Sequence, residues 1–572
     1  MNPKAIYDIE TDGLGGPFVL GAIHYPQDCR TETYRWDREQ DMVAALLAVE
    51  GEVYAHNGRR YDHLWLLDQI EGTSVDLVMN GQGIIKAKIG KTILRDSIAI
   101  FPMSLAKLTG GLKGNLKALC ECGKDCGGFC AIHRRQTEAK LKLIEGYCVG
   151  DVVELAHALD YFSARAGEWG LTIGATLGST SWKSAFSELS LPKADLPMRA
   201  WELARDGYHG GRCEIFRKES SSGFACDVNS MYPFTLATTP LPVGFERVCY
   251  GQDALREWHK GKPGVYSATV KVPETFIPPL PVRVKTGLAF PYGRISGSWP
   301  RPELEYAIGS CGCTVENVHS AVAFSGQELI FGPWVERLFA LRMKYGKSSR
   351  EGAWLKWICN SLTGKLGSKN ERRSVKLWPD LSTLKVCHCN PPWECECGAY
   401  RPMDMECRAW TSTMRMRKLE PCAHAEWAAY LTGAARIKLH KQLTVDESAT
   451  YCDTDSCWSE NERTVDIGSE LGQWEPKGRY EGFRALGPKT YHAILDGKEE
   501  TAAKGIPNPS WLAVAGGKAI PFQSVRGIKR ARHGESFFEF IPQHRTVTPN
   551  TGRRLSTDSN LTMPIRLDEV SE

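Results

Sequence analysis

Three short segments, far apart in the chain, constrain its fold more than anything else in the sequence. YCDTDS, residues 451–456, holds Asp453 and Asp455 around a threonine, between short apolar runs. DVNSMYP, from Asp227 to Pro233, lies upstream, and KWICNSLTGK, from Lys356 to Lys365, lies between them. Carboxylates hold two divalent metals, a lysine meets phosphates and an aromatic ring packs against a sugar. Together these are the parts that phosphoryl transfer from a nucleoside triphosphate needs. A lone DTD is an ordinary acidic turn, whereas the ordered trio is specific. The fold must therefore bring three distant segments to one place.

The N-terminal third carries a second acidic set. AIYDIETDG reads as a strand ending in a turn, and Asp8 and Glu10, two apart, point to one face. In YAHNGRRYDHLWLL, Asn57, Tyr61 and Asp62 lead into an apolar helix. In EGYCVGDVVELAHAL, Tyr147 and Asp151 are neighbours at i, i+4 on a helix. Asp8, Glu10, Asp62 and Asp151 suffice for two metals, and Tyr147 for orienting an attacking water, which is equipment for phosphodiester hydrolysis.

At 572 residues the chain exceeds a single core, and two to four domains are expected. Hydrophobic residues make up 42% and charged residues 24%, as in soluble globular proteins. No apolar run reaches the roughly 18 residues of a membrane span. MNPKAIYDIETDG has no signal-peptide core, so a cytosolic protein is expected, or one made and used in a host cytosol. A net charge of +4 argues neither for nor against nucleic acid.

Twenty cysteines in such a chain argue against a disulfide framework. Two clusters suggest structural zinc: Cys120, Cys122, Cys126, Cys130 and His133, and then Cys387, Cys389, Cys395 and Cys397. Their spacings are not paired CxxC, and reduced surface thiols are the alternative.

The polymer-handling half has further signals. GYHGGR, Gly207–Arg212, is a glycine-rich loop that allows close approach of backbone to a phosphate chain. Asp227 ends a strand, the backbone of Val228 offers another metal ligand, and Tyr232 would lie beneath a sugar. Residues 327–347 and 351–367 read as two helices joined near Gly346. Lys356, Asn360 and Thr363 share one face of the second, and Lys344 ends the first. Lys489 and Tyr491, two apart in GPKTYHAIL, are predicted on one strand face, where a cation beside an aromatic suits a primer strand; Lys504 follows in TAAKGIP. The basic C-terminus through Arg554 reads as a DNA-gripping subdomain, and residues 555–572 as disordered or loosely docked.

With DIE, NGRRYD and YCVGD in the first part and DVNSMYP, KWICNSLTGK, YCDTDS and the Lys489–Tyr491 pair in the second, the chain resembles family B DNA polymerases. Within them it is similar to the protein-primed enzymes of linear phage and plasmid genomes. The linker Tyr208, Gly210 and Gly211 resembles their YxGG motif. The likeness runs from residue 5 to about 530.

The resemblance implies an α/β plus α+β protein: a ribonuclease-H-like DEDD 3′–5′ exonuclease domain at 1–165, then a right-hand polymerase at 166–572. The palm is expected near 200–260 and 430–500, the fingers near 327–367 and the thumb near 500–555. An insertion near 261–325 would contact a priming protein, and the Cys-rich one near 368–425 would support processivity and strand displacement. Asp227, Val228 and Asp455 would hold Mg²⁺ or Mn²⁺ with Asp453 in support, and Lys356 would contact phosphate. Tyr232, Lys344, Asn360 and Thr363 would complete the nucleotide site. Thr11, Asn57, Tyr61 and Ser97 would contact a frayed primer end, and Tyr208, Gly210, Gly211, Ser230, Lys489, Tyr491 and Lys504 the duplex. The implied partners are template-primer DNA, dNTPs and a terminal protein, with no membrane and a monomeric enzyme. Thr363 stands where the family usually has tyrosine, and the Cys-rich segment is unusual for the family.

Three alternatives stay open on the sequence. They are a primase-polymerase that needs no priming protein, a nuclease whose second half only clamps DNA, and a zinc-dependent nucleic-acid-binding protein with decayed sites.

Overall fold

The computed structural model describes residues 1–11, 16–80, 83–111, 138–285, 287–389, 397–403, 408–415, 418–506, 509–528, 535–547, 553–555 and 560–567. The first cysteine cluster, Cys120 to His133, and Cys395 of the second lie outside the described residues.

The N-terminal layer is a mixed sheet. Its centre is Ala5–Thr11, parallel to Gly51–Ala55, which in turn is parallel to Thr92–Asp96. AIYDIET is almost continuously buried, as expected of a strand covered on both faces. The cover on one side is the helix Glu138–Glu168, packed on Ala5–Thr11 and Phe18–Tyr25. Ile144, Cys148, Val152, Leu155, Leu159 and Phe162 are all buried on it. Their spacing of three or four residues makes one apolar stripe.

This sheet does not stop at the expected domain boundary. Glu371–Leu377 pairs antiparallel with Val75–Asn80, and Ala409–Arg415 and Arg401–Pro402 extend it to ten strands. Val375 and Leu377 are buried beside Leu77 and Val75. An edge strand presents unpaired backbone donors and acceptors, and the Cys-rich segment caps that edge. Residues 1–165 are therefore not a closed unit.

The second sheet has seven strands, all antiparallel: Lys498–Ala502, Thr490–Leu495, Trp474–Gly487, Glu219–Val228, Ser456–Ser459, Ala449–Asp453 and Cys213–Ile215. The helix Ala425–Leu443 lies against it, with Ala435, Leu439 and Leu443 meeting Cys226, Cys452 and Cys457 in one apolar cluster. The expected palm segment 200–260 divides in two. Leu241–Tyr250 leaves this sheet and joins Thr314–Glu328, Gly264–Val272 and Gly293–Pro300 in a separate four-stranded antiparallel sheet. This sheet thus begins before residue 261 and runs to Glu328, because its long strand Thr314–Glu328 takes a partner on each side.

The two expected helices are Gly332–Tyr345 and Arg350–Leu366. Residues 327–328 belong to the preceding strand instead. Gly346, at φ +94, makes the break between the helices, a conformation costly for other residues. Beyond residue 502 come the short helix Trp511–Ala515 and the hairpin Ile520–Val525 with Phe540–Arg545. Phe537 and Phe538 donate their backbone N–H groups to Asp68 at 2.8 and 3.1 Å, seating this region on the N-terminal layer.

The C-terminal expectation is corrected. Residues 560–567 are docked: Thr562 is fully buried and donates its N–H to Phe216, and Leu561 bridges to Arg217. Arg553 is buried against Glu214 rather than offered to DNA. Among the described residues no helix is long and apolar enough to cross a membrane.

Candidate active sites

The palm sheet delivers the first carboxylate set. Asp227 pairs with Ser456 across the ladder, and Asp453 pairs with the same Ser456 across the 453–456 turn. Thr454 takes a left-handed φ of 59 to make that turn, and its N–H donates to Arg212 at 2.7 Å. The Val228 N–H donates to the carbonyl of Asp455 at 2.8 Å, locking the two acidic strand ends together. Three segments far apart in sequence thus converge.

Burial first, then the neighbouring Asp455, pushes the Asp227 carboxyl up to about 6. Burial and Asp453 likewise raise Asp455. Asp227 Oδ1 is buried with no hydrogen-bond partner. Two carboxylates that disfavour each other's charge, one with an orphaned oxygen, fit a divalent cation. Lys477 stands 3.9 Å from Asp227, and no sequence motif pointed to it. It is two residues past Glu475, the register partner of Asp227, so its place follows from strand pairing alone.

Lys356 is exposed on its helix and, through its charge, lowers both Asp227 and Asp455, so it faces the same cleft. Asn360 is half-buried one turn on. Thr363 departs from expectation: it is 3% exposed with an unpaired hydroxyl, so it belongs to the packed side of the helix. Lys344 is exposed. Tyr232 is half-buried in the first turn of Met231–Thr238 and is pushed up to about 12 by burial, then by nearby Tyr208.

The glycine loop has structural reasons of its own. A Cβ on Gly211 would lie 2.7 Å from the Thr454 side chain, so glycine there lets the loop pass the acidic turn. The carbonyls of His209 and Gly210 accept from Arg436 at 2.7 and 2.9 Å. Arg436 is itself clamped on Glu303 by two 2.7 Å bonds, both side chains being buried. Tyr208 packs its ring over Gly367, at the end of the Lys356 helix.

Lys489 is not on a strand face beside Tyr491. It occupies the turn between Trp474–Gly487 and Thr490–Leu495 with φ 59, and its ammonium meets both oxygens of Asp453 at 2.6 and 2.5 Å. Tyr491 donates to Glu500 at 2.6 Å within an aromatic cluster of Tyr451, Trp458 and Phe483. Ser230 has a left-handed φ of 63 and accepts from Arg342 at 3.1 Å. Lys504 is exposed just beyond Lys498–Ala502.

The second carboxylate set gathers on the N-terminal sheet. Asp62 is buried and accepts from the N–H of Ile9, between Asp8 and Glu10. The buried Cys148 thiol, one residue after Tyr147, lies 3.7 Å from Asp8. Burial first, then Asp8, Glu10, Asp151 and Asp62 in turn, pushes that thiol well up, which places all four carboxylates around it. Tyr147 is half-buried one turn before buried Asp151 on Glu138–Glu168.

Thr11 bonds the Tyr61 hydroxyl, whose ring meets Phe538 edge-on at 4.6 Å. Asn57 is exposed in a left-handed turn, φ 67, held by Asp96, which accepts from Asn57 N–H at 2.9 Å and Arg59 N–H at 3.1 Å. Burial raises Asp96 to about 6. Asp96 and Phe538 escaped sequence reasoning because neither sits in a recognisable motif. Ser97 corrects another expectation: it is fully buried and donates to Ala55 at 3.0 Å, so it supports the Asn57 turn from beneath.

A family described as DNA polymerase type B, organellar and viral, matches residues 131–382. The DNA-directed DNA polymerase of Enterobacteria phage PRD1 is 27% identical over 524 residues, spanning 88% of this chain and 85% of that one. A probable DNA polymerase of Ascobolus immersus is 23% identical over 396 residues, 59% of this chain and 32% of the relative. Among solved structures, phi29 DNA polymerase complexed with primer-template DNA and incoming nucleotide substrates superposes with a TM-score of 0.72. It is 15% identical, covering 96% of this chain and all of that one.

Proposed function

We propose that this chain is a family B DNA polymerase of the viral type that couples template-directed synthesis to 3′–5′ proofreading at the two carboxylate sites described above. The observation that carries this reading is the meeting of Asp227, at a strand end, with Asp455, in the neighbouring turn, opposite Lys356. Asp227, Asp455 and the Val228 carbonyl would hold divalent cations, magnesium or manganese, which would supply charge neutralisation and lower the pKa of a primer 3′-hydroxyl. The chain's own residues do the positioning. Lys356 meets the triphosphate, with Lys344 and Asn360 further along the fingers. Tyr232 lies beneath the sugar and excludes a 2′-hydroxyl. Lys489 restrains Asp453 so that its charge does not compete at Asp455. In the nuclease layer Asp8, Glu10, Asp62 and Asp151 form the metal-binding set, Tyr147 orients water, and Thr11, Asn57 and Tyr61 receive the frayed primer end.

The relatives' type favours initiation on a terminal protein, with the four-stranded sheet of 241–328 as its contact, followed by strand displacement in the cytoplasm of a host cell. Primer extension on a circular single-stranded template, with Mg²⁺ and no accessory factor, tests the synthesis. Products longer than one circle support both polymerisation and displacement. Absence of any extension by folded protein refutes the reading. Synthesis on a bare template without primer or priming protein would favour the primase alternative.

A further inference from the structure

We propose that Cys387, Cys389 and Cys397 form a zinc site that braces the end of the extended nuclease sheet. The three sulfurs all lie within 4.8 Å of one another. Cys387 and Cys397 stand 3.7 Å apart. Two sulfurs bound to one tetrahedral zinc at ~2.3 Å are separated by ~3.8 Å, so this pair already has the spacing of ligands on a common ion. The chain path that creates the cluster is itself paired. Cys387 N–H donates to Tyr400 and Tyr400 N–H to Lys385, both at 2.7 Å, while Cys397 bridges to Met414 on the strand Ala409–Arg415. The thiols therefore join the segment around Val386, which runs parallel to Tyr400, to the segment that pairs with Ala409–Arg415.

The need for such a brace follows from composition. Between Leu377 and Ala409, few of the described side chains are buried, Ala399 being one. A segment with little apolar area to bury does not hold a conformation by packing alone, and thiolate coordination supplies the missing free energy. Bracing matters because Tyr400 and Gly398 line a cavity of about 390 Å³ with Lys86, Lys88, Lys376 and Ser374. Tyr400 is bonded to Ser374 at 3.0 Å, and the Lys376 ammonium lies over its ring. The metal would fix Tyr400 and with it the position of a lysine-lined groove that spans the Cys-rich segment and the nuclease strands. Each thiol loses its proton on binding, so one zinc and three thiols give a tris-thiolate centre with a fourth position for another ligand.

The test is zinc content of the full-length protein purified under reducing conditions, compared with that of the double variant Cys387→Ser/Cys397→Ser. The variant is expected to carry one equivalent less than the parent, whatever the Cys120–His133 segment contributes. Replacement with cobalt in the parent should give intense thiolate-to-metal absorption in the near ultraviolet, and the difference spectrum, parent minus variant, should retain it. Cys29→Ser, at an exposed cysteine elsewhere, should match the parent in both readouts. Equal metal content in parent and double variant, or a Cys387–Cys397 disulfide in freshly isolated protein, would overturn the proposal. If the double variant fails to fold, the cobalt spectrum of the parent, read against Cys389→Ser alone, decides the question.

Discussion

The Lys489 ammonium grips both carboxylate oxygens of Asp453, at 2.6 and 2.5 Å, from a turn held at a left-handed φ of 59. Asp453 is next in line to Asp455, whose charge it disfavours. Three carboxylates gathered here would repel without a cation, and Lys489 neutralises Asp453, which under the proposed function leaves Asp227 and Asp455 for metal. Lys489→Ala should lower polymerisation by ~10²-fold, the usual scale for losing one positioned charge. It should also shift the acidic limb of the pH–rate profile upward, because Asp455 then ionises beside an unpaired Asp453. Adding Asp453→Asn should move that limb back. A pH profile unchanged in Lys489→Ala would refute this role.

The two carboxylate sets lie in different sheets, so their activities should separate. Asp455→Ala is expected to abolish primer extension and spare degradation of single strands from the 3′ end. Asp8→Ala with Glu10→Ala is expected to do the reverse. Parallel assays on one preparation of each variant check this, and loss of both activities by one folded variant would contradict the assignment.

Asp96 gives a pH prediction. Its side chain is buried, and its value of about 6 stands roughly two units above an ordinary aspartate. A raised carboxyl favours folding in its neutral form. Its contribution is full below about pH 4 and is lost as pH rises through about 6. Asparagine is neutral throughout. The stability difference, Asp96→Asn minus parent, should therefore move in favour of the variant by about 1.4 kcal/mol between pH 5 and pH 8. Denaturant unfolding at the two pH values measures it. A difference independent of pH would mean that Asp96 is ordinary.

Arg553 closes the C-terminal segment onto the palm. It donates to Glu214 at 3.0 Å, to Phe276 at 2.7 Å and to Thr562, while Arg212 holds Glu214 from the other side. Burial alone would raise Glu214, yet the two guanidinium groups keep it below its ordinary value. Arg553→Ala should destabilise the fold by about 3 kcal/mol, the scale for breaking a buried pair. The loss should appear as a lower thermal midpoint, with polymerase activity retained at low temperature. An unchanged midpoint would show that the tail is not tied to the palm.

The two carboxylate sets of this protein were legible from local sequence. Carboxylates two apart on a strand, or i, i+4 on a helix, face the same way whatever surrounds them, so both acidic sets could be read before any fold was known. The helices that carry Lys356 and Tyr147 were equally legible, because apolar periodicity is a property of neighbours. What tertiary structure decided were relations between distant strands. Nothing local tells Leu241–Tyr250 to leave the palm, or Glu371–Leu377 to pair with Val75–Asn80. Those choices depend on which edge offers free backbone groups and which face buries apolar area. Thr363 turned inward, Lys489 bound to Asp453, Ser97 buried under the Asn57 turn and Arg553 locked to Glu214 belong to the same class. A polar residue reads alike in sequence whether it meets solvent, nucleic acid or an internal partner, and only packing in three dimensions chooses among them.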